Sequence, residues 1–179
     1  MSAAAVGHNN VFYQPQQDDV VIGIVEKRMN DDWLVDIGFS HFALLPSLSF
    51  DGATKKNAPK FQKGECVAAN VEEVPAAGEI VLSCISRTKN DSLGRITGGT
   101  LVRARPKDLL LIQQYQFLEE VAKKSAITQC FGKNGRLYID LKNAVTTILV
   151  SNAIIQALSA EDPIQEFQNL LSQIDFPSV

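Results

Sequence analysis

Phe131-Gly132-Lys133-Asn134-Gly135-Arg136-Leu137-Tyr138-Ile139 sets Asn-Gly between two apolar runs, the strongest short-range hairpin signal a chain can carry. Ala126-Ile127-Thr128-Gln129-Cys130-Phe131 leads into it and Arg136-Leu137-Tyr138-Ile139-Asp140 leads out. Both flanks are rich in β-branched or aromatic side chains, which suit a pleated surface. The pattern predicts a hairpin closed by a tight primed turn. Asn134 and Gly135 are expected at positive φ, and Gly132 permits a further bend.

Downstream, apolar residues from Asn143 to Leu158 recur at helical spacing. Leu141, Ala144, Val145, Ile148, Ile155 and Leu158 make one face, and Val150, Ala153, Ile154 and Ala157 much of another. A helix apolar nearly all round is expected to be buried on two sides. Glu161-Asp162-Pro163 opens a tail helix with Ile164, Phe167, Leu170, Leu171 and Ile174 as its stripe. Upstream, Thr100-Leu101-Val102-Arg103-Ala104 reads as a strand. Pro106 opens a helical stretch carrying Leu109, Leu110, Ile112, Phe117, Leu118 and Val121, as one bent helix or two short ones. The order strand-helix-helix-strand-strand-helix, then a tail helix, over residues 100–179 is the plan of a KH-type α+β domain. The KH clamp on RNA is a GXXG loop between the first two helices. Here that place holds about Gln113-Gln114-Tyr115-Gln116, so this domain is expected not to grip RNA in the usual way.

The first half of the chain reads differently. Val20–Arg28, Trp33–Gly38, Phe42–Leu45, Cys66–Val71 and Ile80–Ser86 are short apolar or alternating runs separated by turn residues. Short strands with the longest connection after the third give an all-β OB barrel over residues 20–89. Residues 1–19 are expected as a disordered or extended lead-in. The polar, Gly-rich stretch 90–99 is expected as a linker. The fold class is therefore two-domain, an OB barrel followed by a KH-type domain.

Composition bounds the function. The chain has 179 residues, 45% hydrophobic, with formal charge −3 and pI near 5.4. A free-standing nucleic-acid binder is more often basic, so RNA binding must rest on a local patch. Cys66, Cys84 and Cys130 lie far apart in apolar runs and are expected as reduced, buried thiols. No apolar run is long enough to span a bilayer, and no secretory signal is recognisable at the N-terminus.

The patch is sought in the 47–64 connection, which carries Lys55, Lys56, Lys60 and Lys63. Loops and one sheet face form the oligonucleotide groove of an OB fold. Phe39, in a turn, is the candidate stacking platform, and His41 could stack or hydrogen-bond a base. Trp33 and Phe42 fit a core role. Lys55, Lys56, Lys60, Arg87, Lys89 and Arg95 are the candidate phosphate partners, and a solvated charge is the alternative for each.

Catalysis finds no support in the pattern. Glu72-Glu73 would point to opposite faces of a strand, Asp31-Asp32 is turn chemistry, and Glu119-Glu120 fits a polar helix face. His8 and His41 lack zinc spacing, and no Gly-rich loop precedes a lysine. No enzyme, metal or cofactor is expected.

Val21–Val25, Val35–Gly38, the long Leu48–Pro59 stretch and Gly-x-Asn-Gly in the hairpin (Gly132, Lys133, Asn134, Gly135) together resemble the cap subunits of the RNA exosome. The resemblance runs over roughly residues 13–158. It implies a non-catalytic, RNA-binding subunit that stabilises a ring of ribonuclease-PH-type subunits and guides RNA toward 3′-to-5′ processing and decay. The implied partners are RNA, those ring subunits and other cap subunits, in a hetero-oligomer away from membranes. The implied places are nucleus, nucleolus and cytoplasm. The resemblance also makes the Gly-x-Asn-Gly hairpin a structural motif that helps pack the two domains. Family members carry a small β-rich domain before the barrel, so the chain is expected to be a fragment or a version without it. The alternative is a free-standing single-stranded RNA-binding regulator built from the same modules.

Overall fold

The computed structural model describes residues 13–87 and 93–176. Contacts divide the chain into a barrel unit that reaches to Thr97 and takes in Gly132–Asn134, and an α/β unit from Gly98 onward.

The barrel unit holds β1 (Val20–Met29), β2 (Asp32–Asp36), β3 (Ala43–Leu45), β4 (Cys66–Glu73), β5 (Val81–Ser83) and β6 (Gly94–Ile96). Sheet order is β1-β2-β3-β5-β4-β6, and a β1–β4 pairing closes the first five into a barrel. All pairings are antiparallel except β3 with β5. Val21, Val25, Val35, Ile37, Leu45, Val67, Val71 and Leu82 are fully buried in its core. Alternation along β1 and β2 delivers these side chains inward, as a half-buried antiparallel strand requires.

Three expectations about this unit are corrected. Gly94–Ile96, read as linker, is a strand that pairs Cys66 with Ile96 and Ala68 with Gly94; three residues carry too little periodicity to announce themselves. The lead-in is bound from Tyr13 onward: Tyr13 is buried, and Asp18 N–H donates to the Val71 carbonyl at 2.8 Å. Phe42 is not a core residue; it is 45% exposed, while Trp33 is buried as expected.

The α/β unit runs β7 (Thr100–Arg103), α1 (Pro106–Gln114), α2 (Phe117–Ala122), β8 (Thr128–Gly132), β9 (Arg136–Asp140), α3 (Ala144–Ala157) and α4 (Pro163–Ser172). Its sheet order is β7-β9-β8. The helical stretch after Arg105 is two helices, broken at Tyr115 and Gln116, and Gln116 sits in the left-handed region at φ 55°. The Asn143 side chain caps α3 by accepting from Thr146 N–H at 3.0 Å, and Asp162 caps α4 by accepting from Gln165 N–H at 3.1 Å. Phe117 stacks on Phe167 at 4.3 Å in the core of the unit.

Helix α3 is not buried on two sides. Val145, Ile148 and Leu149 are exposed, and Thr146, Thr147, Val150, Ser151, Ala153, Ile154 and Ala157 face inward. Thr147 and Ser151 can do so because their hydroxyls are satisfied locally. Thr147 Oγ1 donates to the Asn143 carbonyl at 2.7 Å, and Ser151 Oγ to the Thr147 carbonyl at 2.8 Å. Among the described residues no helix is long and apolar enough to cross a membrane. Of the cysteines only Cys84 is buried, where desolvation pushes its thiol up to about 12; Cys66 and Cys130 are half-buried.

Candidate nucleic-acid interface

The connection from β3 to β4 is long but wired from within. Asn57 Oδ1 accepts from Thr54 N–H at 2.5 Å and from its hydroxyl at 2.9 Å, while Nδ2 donates to the Gly52 carbonyl at 3.2 Å. Ala58 N–H adds a bond to the Thr54 carbonyl at 2.9 Å. One asparagine thus closes a compact loop, an Asx-type device, with Lys55 and Lys56 exposed on it.

That loop overhangs a cleft of about 370 Å³ lined by Arg28, Asp31, Asp32, Trp33, Pro46, Ser47, Leu48, Lys55, Lys56, Ala58, Pro59 and Lys60. Among the described residues no carboxylate pairs with Lys55, Lys56 or Lys60. The acids are otherwise engaged: Asp32 accepts from Ser47 N–H at 3.0 Å, and Asp31 pairs with Arg28 at 3.2 Å. The Arg28 guanidinium lies 5.6 Å from the centre of the Trp33 ring. Unpaired cations on a fixed loop, beside an aromatic floor, make a surface for an anionic chain with flat rings.

The structure gathers three of the eight predicted RNA-binding residues here: Lys55, Lys56 and Lys60. It does not bring Phe39 and His41 to them. Those two rings are 5.9 Å apart beyond Asp36, the opposite end of β2 from the cleft, and five strand residues span roughly 17 Å. Phe39 is also half-buried against the barrel core. Arg87 is paired with Asp18. Arg95 is held by the Lys60 carbonyl, by Glu65 at 3.5 Å and by the Phe61 ring at 4.8 Å. Its guanidinium therefore braces the loop's return instead of standing free. Lys89 lies outside the described residues. Arg28, Trp33, Leu48 and Asn57 were missed. Two of them were within reach: pairing β1 with β2 across Asn30-Asp31 puts Arg28 opposite Trp33.

The Gly-x-Asn-Gly tip does something its turn signal did not reveal. The hairpin closes through Lys133-Asn134-Gly135, and of the two expected residues only Gly135 has positive φ, at 77°. This is a three-residue loop with glycine at the left-handed position, not a two-residue primed turn. Asn134 instead spends its side chain on the barrel. Oδ1 accepts from Ile22 N–H at 3.1 Å, and Nδ2 donates to the carbonyls of Ile22 at 2.8 Å and Ile37 at 2.9 Å. Beside it Lys133 N–H donates to the Val20 carbonyl at 2.8 Å.

Lys133 Nζ also lies 2.9 Å from Asp19, whose other carboxylate oxygen accepts from the Tyr13 hydroxyl at 2.5 Å. Burial works to raise the Asp19 carboxyl, but the bonds from Tyr13 and Lys133 outweigh it and hold it below the usual range. Burial, followed by the bond to Asp19, pushes the Tyr13 phenol upward. A depressed carboxyl stabilises the fold above its unfolded pKa of about 3.9, and that contribution disappears as pH falls through the lower folded value. Asp19→Asn should cost about 1–3 kcal/mol at pH 7 and flatten the loss of stability below about pH 4. Urea unfolding at neutral and acidic pH measures both effects.

The chain is similar to known proteins over most of its length. Residues 13–94 match the family model for the S1 domain of exosome complex component RRP40. The exosome complex component rrp40 of Schizosaccharomyces pombe is 28% identical over 172 residues, covering 90% of this chain and 70% of that protein. Human exosome complex component RRP40 is 32% identical over 151 residues, covering 79% of this chain and 53% of its own length. A candidate rrp40 of Dictyostelium discoideum is 31% identical, with 84% of this chain and 65% of that protein covered. The chain thus spans between about half and 70% of these relatives. A crystal structure described as a candidate exosome RNA-binding protein shares the fold at TM-score 0.69 and 22% identity, over 90% of this chain and 96% of that one.

Proposed function

We propose that this chain, whose residues 13–94 match the RRP40 S1-domain model and which is similar to RRP40 exosome components over most of its length, is a non-catalytic RNA-binding subunit of an exosome. The observation that carries the RNA side of this reading is the unpaired lysine set on the Asn57-held loop. Phosphate contacts supply sequence-independent affinity, which suits a protein that passes RNA along. Three local cations on a mildly acidic chain give weak binding alone and stronger binding in an assembly.

The α/β unit is best read as KH-type. Its element order is the one expected, and the turn between its first two helices is Tyr115-Gln116, without the glycines a phosphate clamp uses. RNA contact is accordingly assigned to the barrel. The exposed apolar face of α3, with no charged residue along the helix, supports a subunit that meets protein partners. On this reading those partners are the ribonuclease-PH-type ring subunits and the other cap subunits, in nucleus, nucleolus and cytoplasm.

A tagged copy expressed in its native cell, captured and analysed by mass spectrometry, tests the assembly. Ring subunits should co-purify in stoichiometric amount. Recovery of the chain without them would reject the exosome assignment and favour a free-standing RNA binder.

A further inference from the structure

Trp33 is 93% buried by residue, being 7% exposed, and its Nε1–H has no acceptor among the described residues. A buried donor without an acceptor is costly and calls for an explanation. This one belongs to a side chain that lines the cleft under the lysine loop. The cover over the ring is Arg28, a half-exposed side chain paired with Asp31, which is itself exposed.

We propose that the cleft is a seat for one nucleotide of a single-stranded RNA, in which Trp33 Nε1–H donates to an acceptor atom of the base and the phosphates on either side lie along Lys55, Lys56 and Lys60. This rests on the RNA-binding reading above and specifies it. The division of labour follows from where the charges sit. The three lysines are at the exposed rim, where phosphates remain partly solvated. The apolar lining is the indole and Pro46, with Leu48 exposed at the wall beside Asp31 and Asp32. Carboxylates there disfavour a second anion and leave a neutral, flat, acceptor-bearing group as the occupant. The cleft volume of about 370 Å³ is within the range of small-molecule sites. Arg28 moves from the ring toward a phosphate as the base enters, so its charge is used in both states.

Trp33 is the sole tryptophan of the chain, so its emission reports on this cleft alone. The whole 179-residue chain is titrated with an oligouridylate of about eight nucleotides, inside the roughly 4–16 that an OB fold covers. Inorganic polyphosphate is the base-free comparison, and fluorescence anisotropy of labelled RNA follows binding independently. Oligouridylate should shift or quench Trp33 emission to saturation, while polyphosphate binds without doing so. Trp33→Phe should lose about tenfold in RNA affinity, the equivalent of one hydrogen bond. Because Trp33→Phe alters the core, Leu48→Glu at the exposed wall is the second variant, and it should abolish the emission change while the protein stays folded. RNA binding with silent Trp33 emission and unaffected variants would overturn the seat and leave the RNA-binding reading standing. An equal response to polyphosphate would make it a phosphate site and overturn the base seat. Absence of any RNA binding would overturn both.

Discussion

Asn134→Ala is expected to destabilise the barrel unit by about 3–5 kcal/mol, the sum of three backbone groups losing their partner at roughly 1–3 kcal/mol each with partial relief from relaxation. The Asn134 amide satisfies one N–H and two carbonyls that lie 112 and 97 residues away in sequence. Alanine supplies neither donor nor acceptor, and the side chain it replaces is 8% exposed, so water reaches the site poorly. Asn134→Asp is the sharper variant. It keeps the acceptor for Ile22 N–H but turns a charged oxygen on two carbonyls, and it should be at least as harmful. Lys133→Ala, which removes a largely exposed ammonium from Asp19, should cost less than either. Chemical denaturation of the three variants under one condition tests the ranking. An Asn134→Ala protein as stable as the parent would mean that these bonds do not form.

Gly99→Ala should cost about 3 kcal/mol, combining a steric clash of the overpacking kind with an unfavourable backbone region. Gly99 has φ 52°, and a Cβ there would meet the Ile139 carbonyl oxygen at 2.5 Å and the Tyr138 ring at 2.6 Å. The carbonyl belongs to the β7–β9 ladder, in which Thr100 is paired with Ile139. It cannot withdraw without breaking the register that β7 depends on. At this chain length such a loss lowers the melting temperature by roughly 6–12 °C. Thermal unfolding followed by circular dichroism reads it directly. An unchanged melting temperature would show that β7 approaches β9 less closely than described.

The hairpin around Asn134 was legible because both flanks and the turn are local features. The reason for Asn134 itself was not, because its partners are on β1 and just past β2. A turn propensity and a long-range docking group look alike in sequence. The barrel's five main strands were legible from alternation, whereas β6 is a strand only by virtue of pairing with β4. Helix α3 misled for a related reason. Thr147 and Ser151 read as polar, yet donating their hydroxyls to carbonyls one turn back lets them face the core, while Val145, Ile148 and Leu149 lie outside. At the candidate interface Lys55, Lys56 and Lys60 were legible as a charge run in the longest connection. That Arg87 and Arg95 are spent on Asp18, Glu65 and Phe61 depends on folding, as does the separation of Phe39 and His41 from the lysines by the length of β2.

On the function proposed above, the Lys55, Lys56 and Lys60 loop is where this chain holds RNA. The most direct measurement is the dependence of single-stranded RNA affinity on salt, for the parent chain and for Lys55→Ala/Lys56→Ala/Lys60→Ala. Each phosphate contact to a single strand contributes about 0.7 to the slope of log affinity against log salt. The triple variant should therefore bind more weakly at every salt concentration, with a slope shallower by about 2. The same affinity and the same slope in both proteins would place the RNA elsewhere and contradict the account.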